Sequence, residues 1–576
     1  MPVLGNIKTM KIVTTKTEPR YIFMQEVPGG LIKHMNKIPQ YQLLPSFQGI
    51  PTPEVFLDSF PSKKTGKRIY FCSLGLWHEV VSWCRSNNIE CNRPEDDLIY
   101  TKFDMTEEEF GEMVSGWGLN LQPRDYQIRA AWKILKYTRS LSLLATRAGK
   151  TLIGYIVFRT MIEKMGAKRI LMIVPSIQLV KQGHQDFKDY AEFFNGEEVW
   201  AQGESVNGSN LTIGTFQSLI RKLDPRSKRY DPDYFSGFDV VCVDEAHKLN
   251  AKSIKTILSQ PFMKEVKLQF GFTGTLPKPN TIEWLGCQSL MGPKIQDIST
   301  MELVGRGFLV EPIIKQFRLV YTPESYKKEG IDCAEYLVGN YVLKDNKKQL
   351  VPKADRKLGQ KYIKSLPPTI KAIKQKYEPK YYYDYLQSWM RDSNALLNWE
   401  QELAQHSQQK MDLIIQLLSN MTKNCIVFAH NTDYITYLID AIKKEFPERK
   451  VLKITGADNL KKRQKVLDEM LAQDGCILVA SVSCVATGLT FRRLENIILT
   501  QSFKSDIITN QSLGRILLPE EGTKPYAMVY DLIDVFDTKR IYNQGLAKVR
   551  NYKKQGYKYT IENKKIEYIS IYGTTE

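Results

Sequence analysis

The chain has no paired-cysteine motif. Its nine cysteines stand singly, from Cys72 through Cys242 to Cys484, with no CxxC and no spacing that suits zinc. They read as buried thiols of a reducing compartment rather than as disulfide partners or metal ligands. No apolar run approaches the roughly 18 residues of a membrane span. The opening stretch MPVLGNIKTMKIVTTKTEPR carries charge without an apolar signal core, which predicts a protein that stays in the cytoplasm where it is made. A basic amphipathic helix and a lipidation signal are also missing, which argues against a membrane-surface role. No short-period repeat is found. Acid is the scarcer charge: 63 Asp and Glu against 81 Lys and Arg give a formal charge of +18 and a pI near 9.2. That balance favours a polyanionic partner, the alternative being a merely solvated basic surface.

At 576 residues the chain is too long for one core and fits two or three domains. A hydrophobic fraction of 43% with 25% charged residues suits a soluble globular protein and excludes global disorder. Residues 1–110 carry short apolar segments, a turn-like Ser62-Lys63-Lys64-Thr65-Gly66-Lys67 and a helix-like stretch from Leu76 to Ile89, which together predict a small α/β accessory domain. From about residue 120 the pattern changes to apolar strands of four to seven residues alternating with longer amphipathic helices. The strands are SLSLLA, RILMIVP, LTIGTF, VVCVDE and LQFGFTGT. They predict a parallel sheet covered on both faces, assigned to residues 111–319. A second alternating series, NCIVFAH, KVLKITG, GCILVAS, NIILTQS and AMVYDLID, predicts another parallel lobe over 411–540. Residues 320–410 fit neither sheet and read as an insertion and linker, and 541–576 as a basic tail.

Chemistry concentrates first in LLATRAGKTLIGYIVF, where an apolar strand runs into Ala148-Gly149-Lys150-Thr151 and then into a helix. A helix start offers unpaired N–H groups and a positive dipole end to phosphates, Lys150 can neutralise β and γ oxygens, and Thr151 can hold Mg²⁺. The strict pattern G-x-x-x-x-G-K-[ST] fails, because Leu144 stands at its first position. The second concentration is VVCVDEAHKL, which sets Asp244 and Glu245 at the end of a strongly apolar strand, followed by Ala246 and His247. There Asp244 can hold Mg²⁺ through its shell, and Glu245 can orient or deprotonate the water that attacks the γ-phosphate. Solvated acids capping a strand would be the bland reading, and the phosphate loop about a hundred residues upstream argues against it.

Asp-Glu-Ala-His together with this phosphate loop resembles the superfamily two helicases, whose two RecA-like lobes sandwich ATP. Further segments resemble that family in order. Gln127 in PRDYQIRAAW is similar to its adenine-reading glutamine, and Thr273-Gly274-Thr275 to the motif that couples hydrolysis to movement. Ser176 in VPSIQLV and Thr215 to Gln217 in GTFQSL resemble first-lobe contacts to the nucleic-acid backbone. Ala480-Ser481 and Thr487-Gly488 match the fifth motif, and Gln511, Gly514 and Arg515 in QSLGRILL match the sixth. The likeness is strongest to the UvsW type of bacteriophage recombination helicase, over roughly 110–560. It implies two tandem RecA-like parallel-sheet lobes with a small N-terminal domain, ATP and Mg²⁺ as cofactors, and ATP-dependent work on branched DNA such as fork regression, junction migration or R-loop unwinding. A phage-encoded protein would do this in the host cytoplasm.

The resemblance also implies a division of labour. Catalysis would fall to Lys150, Asp244, Glu245, His247, Gln511 and Arg515. ATP would be held by Gln127, Arg147, Ala148, Gly149, Lys150, Thr151 and Gly488, Mg²⁺ by Thr151 and Asp244, and nucleic acid by Ser176, Thr215, Gln217, Ser481 and Thr487. Two departures stand out. Arg147 replaces a small residue of the loop, often glycine, where it can crowd the phosphates or add a cation. Leu518 replaces the second arginine of the sixth motif, leaving Arg515 alone to stabilise the transition state. An RNA helicase and a non-catalytic ATP-dependent clamp are the competing readings, whereas a fused nuclease is disfavoured for want of length and of a carboxylate cluster.

Outside the motifs, Lys371, Lys374, Lys376 and Lys380 are mixed with Tyr377, Tyr381, Tyr382, Tyr383, Tyr385 and Trp389. This mixture can grip phosphates and stack bases, or equally pack the insertion onto a lobe. The tail, with Lys548, Arg550, Lys553, Lys554 and Lys558 among tyrosines, leans toward nucleic-acid contact. His430 reads as a satisfied strand-end histidine.

Overall fold

A computed structural model describes residues 9–37, 54–194, 196–199, 209–323, 325, 341–344, 347–350, 397, 400–401, 403–482, 494–501, 513, 526–536 and 539–569. The chain divides into two compact units, Met1–Ser299 and Thr300–Glu576.

In the first unit, strands β1 (Thr9–Met10) and β6 (Glu90–Cys91) pair in parallel, while β2 (Ile12–Val13), β3 (Tyr21–Met24), β4 (Asp58–Pro61) and β5 (Arg68–Ser73) form an antiparallel sheet in the order β2-β3-β5-β4. Alternation along these strands turns Ile12, Ile22, Met24 and Cys72 inward onto Leu31 and Met35 of helix Gly29–Met35 and Val80 and Cys84 of helix Trp77–Ser86. Trp284 and Leu285 of helix Ile282–Met291 share this core, and the Trp284 indole donates to Glu79 at 2.7 Å. The small domain thus shares one core with the helix that leads into the last strand of the larger sheet.

Seven strands make that larger sheet: β7 (Arg139–Leu144), β8 (Ile170–Val174), β9 (Gly196–Val199), β10 (Leu211–Thr215), β11 (Val240–Val243), β12 (Leu268–Thr273) and β13 (Lys294–Ile298), in the order β13-β7-β12-β11-β8-β10-β9 with every pairing parallel. Parallel neighbours require crossovers, and helices Lys150–Glu163 and Ile177–Tyr190 supply two of them. Strands β8, β10, β11 and β12 are buried along their whole length, which is why ILMIV and VVCV read as unbroken apolar runs, while β10 and β12 bury Thr212 and Gln269 as well. Helix Lys150–Glu163 likewise buries Leu152, Ile153, Tyr155, Ile156, Val157 and Phe158 on several sides.

The second unit holds β14 (Glu311–Tyr321), a short antiparallel hairpin of β15 (Tyr341–Lys344) and β16 (Lys347–Leu350), then β17 (Asn424–Ala429), β18 (Val451–Ile454), β19 (Ile477–Ser481), β20 (Leu494–Leu499), β21 (Tyr526–Val535) and β22 (Lys558–Ile566). Its main sheet runs β18-β19-β17-β20-β21-β14-β22, again all parallel. Two expectations are corrected here. A lobe boundary at 319 would cut β14, which pairs with β21 and β22 and so belongs to the second sheet. The expected basic tail is built into the lobe over residues 541–569: helix Arg540–Gln555 packs on β21, and β22 closes the sheet edge. Lys548 is buried there, 2.5 Å from Asp531, which also accepts from Tyr552 and Gln316. Lys410 of helix Gln408–Ser419 meets buried Asp534 at 2.6 Å in the same way. Removing one partner of such a pair leaves a buried charge uncompensated, at a cost of about 3–5 kcal/mol. Most of the expected insertion, including its lysine and tyrosine cluster, lies outside the described residues.

Among the described residues, no helix is long and apolar enough to cross a membrane.

Candidate nucleotide and nucleic-acid site

Parallel α/β sheets bind ligands beyond the carboxyl ends of their strands. The first-unit sheet brings the sequence-predicted residues to that edge. The loop after β7 carries Arg147 to Lys150, the turn after β11 carries Asp244 to His247, and β12, which lies between those two strands, ends on Thr273. On the far side of β11, the neighbouring strands β8 and β10 lead into Ser176 and Thr215.

The phosphate loop is shaped by two left-handed residues. Arg147 has φ of 74° and Gly149 of 78°, with Lys150 opening the helix immediately after. Left-handed backbone suits glycine and costs other residues about 1–2 kcal/mol. The departure at Arg147 therefore falls where a glycine would be unstrained. Gly149 is required twice over, since a Cβ there would also lie 2.0 Å from Gln127 Nε2. Gln127 is buried beneath the loop: its amide donates to the Ala148 carbonyl at 3.0 Å, and its oxygen accepts from Arg124 N at 2.9 Å. Tyr126 Oη donates to the same Ala148 carbonyl at 3.1 Å. Where the resemblance implies that Gln127 reads adenine, the structure shows it buttressing the loop. Tyr126, which the sequence does not single out, shares that task, and its only sequence signal is adjacency to Gln127.

Asp244 and Glu245 follow β11. Glu245 has φ of 55°, another left-handed non-glycine, and its amide donates to Asp244 Oδ1 at 2.9 Å. Strain of this kind persists where surrounding contacts impose it, commonly at functional sites. Gly271 of β12 leaves room for this turn, because a Cβ there would approach the Ala246 methyl to 2.9 Å. Burial and the neighbouring Glu245 charge raise the Asp244 carboxyl above its usual range, with Lys150 acting against them. Glu245 is also opposed by burial, but the hydrogen bond from His247 and the charges of Lys150, His247 and Lys248 hold it low, in its ionised form.

His247 Nδ1 lies 3.1 Å from Glu245 Oε2 and 3.2 Å from Thr273 Oγ1. The Thr273 hydroxyl donates to Thr275 O at 2.7 Å, so its oxygen is left to accept. Glu245 is ionised and can only accept. The proton between them therefore sits on His247 Nδ1, which ties the acid after β11 to the Thr273-Gly274-Thr275 turn after β12. Gly274 in turn lies beside the loop, its α-carbon facing Leu144 O and Thr146. Ser176 and Thr215 cap their helices, accepting from Leu179 N at 3.4 Å and Ser218 N at 3.3 Å, while Gln217 is exposed.

The residues fit a nucleoside triphosphate with a divalent cation. The helix start, the left-handed loop and Lys150 suit phosphates, and the Lys150 charge favours the ionised form of both carboxyls, although burial and Glu245 still leave Asp244 raised. Among the described residues no cluster of three or more His, Cys, Asp or Glu could hold a metal by itself. That is compatible with Mg²⁺, which is commonly held by one or two protein oxygens and the substrate phosphates. In the second unit, Ser481 is buried at the end of β19. Thr487, Gly488, Gln511, Arg515 and Leu518 lie outside the described residues.

Comparison with known proteins gives two family matches. Residues 120–278 match the res subunit of type III restriction enzymes, and residues 409–517 the helicase conserved C-terminal domain. The chain is 25% identical over 475 residues to the ATP-dependent DNA helicase uvsW of Enterobacteria phage T4, covering 80% of this chain and 78% of that one. It is 27% identical over 209 residues to the DNA 3′-5′ translocase XPB2 of Sulfurisphaera tokodaii, covering 36% and 43%. A crystal structure of T4 UvsW aligns over 97% of this chain and 99% of that chain, with 19% identity and a TM-score of 0.42. The first family match contains the loop, the acid pair and the Thr273 turn, and the second contains the fifth and sixth motifs. With both helicase modules in order along one chain and the uvsW likeness running through them, the chain is an ATP-dependent DNA helicase or translocase similar in sequence to uvsW.

Proposed function

We propose that this ATP-dependent DNA helicase or translocase remodels branched DNA, by fork regression, branch migration or R-loop unwinding, in the cytoplasm of a phage host. The observation that carries the motor reading is the unbroken hydrogen-bonded path from Glu245 through His247 to Thr273 at the edge that also holds Lys150. The uvsW likeness supports DNA as the substrate; branched DNA is the expectation that the family resemblance adds.

In this reading Lys150 and the N–H groups of the loop bind the phosphates, and Thr151 and Asp244 hold Mg²⁺. The metal would offset charge on the phosphoryl oxygens. Glu245, kept ionised, orients the attacking water and takes its proton. That protonation removes the negative charge His247 Nδ1–H shares, so its hydrogen bond shifts toward Thr273. The Thr273-Gly274-Thr275 turn then senses the state of the acid, and β12 carries the signal into the sheet whose next strands bear Ser176 and Thr215. Those two, with Gln217, Ser481 and Thr487, track the DNA backbone, while Gln511, Arg515 and Gly488 complete the nucleotide site. Phosphate release measured with and without DNA tests the motor. Stimulated, multiple-turnover hydrolysis supports it, whereas ATP binding without turnover would make the chain a clamp.

A further inference from the structure

The sheet of the small N-terminal domain has two faces of different character. Its inner residues, Ile12, Ile22, Met24 and Cys72, are buried in the core. Its outer residues are also apolar. Phe23 and Phe71 face each other across β3 and β5, Val13 pairs with Phe23, and Phe60 pairs with Ile69. Phe71 is the hub, with ring centroids 5.8 Å from Tyr21, 6.2 Å from Phe23 and 5.8 Å from Phe60. Phe60 is 42% exposed and Val13 47%, while Tyr21, Phe23, Ile69 and Phe71 are partly exposed. A solvated sheet face ordinarily reads polar, so this row of rings calls for a ligand.

The rim indicates which. The β4–β5 hairpin turns through Ser62-Lys63-Lys64-Thr65-Gly66-Lys67, closed by Ser62 N to Lys67 O at 2.8 Å, and Lys63, Lys64, Lys67 and Arg68 are all exposed. Glu26 lies 3.6 Å from Lys67, and Asp58 sits opposite Phe71, but Lys63 and Lys64 have no carboxylate within ion-pair distance among the described residues. On the other side the Arg20 guanidinium lies 5.7 Å from the Tyr21 ring centre, but it is held by Glu18 and by the Ser259 and Gln260 carbonyls. Rings on one sheet face, edged by the hairpin lysines, match bases on a phosphodiester chain: each base offers a π-face whatever its identity, and the lysines meet the phosphates. A duplex keeps its base faces internal, so the ligand must be unpaired.

We infer that the outer face of this sheet, centred on Phe71 and edged by Lys63 and Lys64, is a platform for single-stranded DNA, distinct from the motor's own track along Ser176 and Thr215. The choice of DNA rests on the function proposed above. A remodeller of branches needs a place to hold the strand it displaces, and this surface supplies one.

The test uses the full chain without nucleotide and a fluorescent oligo(dT). Phe71→Leu keeps apolar bulk but no ring and should weaken binding about 5-fold or more, the lower end expected for one lost base stack. Phe71→Tyr restores a ring and should bind like the parent. Lys63→Ala with Lys64→Ala should lower the slope of log affinity against log salt by about 1.4, at 0.7 per phosphate contact on a single strand. Oligonucleotides carrying 5-iodouracil should crosslink to peptides containing Tyr21, Phe23 or Phe71. Parental affinity and salt slope in these variants, with crosslinks confined to other peptides, overturns the platform. So does a change in sedimentation of Phe71→Leu without loss of affinity, which would make the face an interface between copies of the chain. If the parent binds oligo(dT) through this face but DNA fails to stimulate hydrolysis, the proposed function falls and the platform stands.

Discussion

Replacing Gly149 with alanine puts a methyl group where Gln127 Nε2 stands, 2.0 Å away, on a backbone at φ of 78°. The glutamine is buried and cannot swing into solvent without surrendering its bonds to Ala148 O and Arg124 N. Two lost hydrogen bonds cost about 2 kcal/mol and the left-handed alanine about 1–2 kcal/mol, so Gly149→Ala should destabilise the first unit by about 3–4 kcal/mol. At roughly 2–4 °C per kcal/mol for a unit near this size, the melting transition should fall by about 6 °C or more. The decisive comparison is the double variant. If the clash is with Gln127, adding Gln127→Ala to Gly149→Ala should cost almost nothing further, because the bonds it removes are already broken, giving a coupling of about 2 kcal/mol. Thermal or urea unfolding of the two single variants and the double measures this. Parental stability in Gly149→Ala, or fully additive losses, would refute the account of the loop.

Lys150→Ala should abolish ATP turnover with the melting temperature retained, and Glu245→Gln should keep ATP binding while hydrolysis stops; parental turnover in both would remove the site assignment. His247→Ala should leave basal hydrolysis less affected than its stimulation by DNA, read as the ratio of the two rates, because His247 links Glu245 to Thr273 rather than touching phosphate. Arg515→Ala should reduce turnover at least about 100-fold with a smaller change in ATP affinity, and Leu518→Ala should be mild, since a single arginine is left to stabilise the transferring phosphoryl group. Equal effects of the two substitutions in steady-state hydrolysis would refute that assignment.

Much of this architecture is legible in the sequence because buried parallel strands must be apolar on both faces: ILMIV and VVCV announce β8 and β11 directly. Strands β13 and β22 escape notice for the converse reason. Each lies at a sheet edge, and KIQDI and KYTIENKKI keep polar residues toward solvent. The run of lysines near the C-terminus misleads because nothing local shows that Lys548 will meet Asp531. Within the site, residue identities are readable and backbone geometry is not. No propensity marks Arg147 or Glu245 for left-handed backbone, and the turn of Gln127 toward Ala148 O appears only once the loop is folded.

The most direct test of the central claim is the rate of ATP hydrolysis with saturating single-stranded DNA, duplex, four-way junction and RNA in parallel, with Lys150→Ala as the blank. The account predicts stimulation by DNA over RNA, greatest with the junction, steeply reduced as salt rises, and absent in Lys150→Ala. Hydrolysis equal with and without nucleic acid, or stimulated by RNA alone, would contradict it.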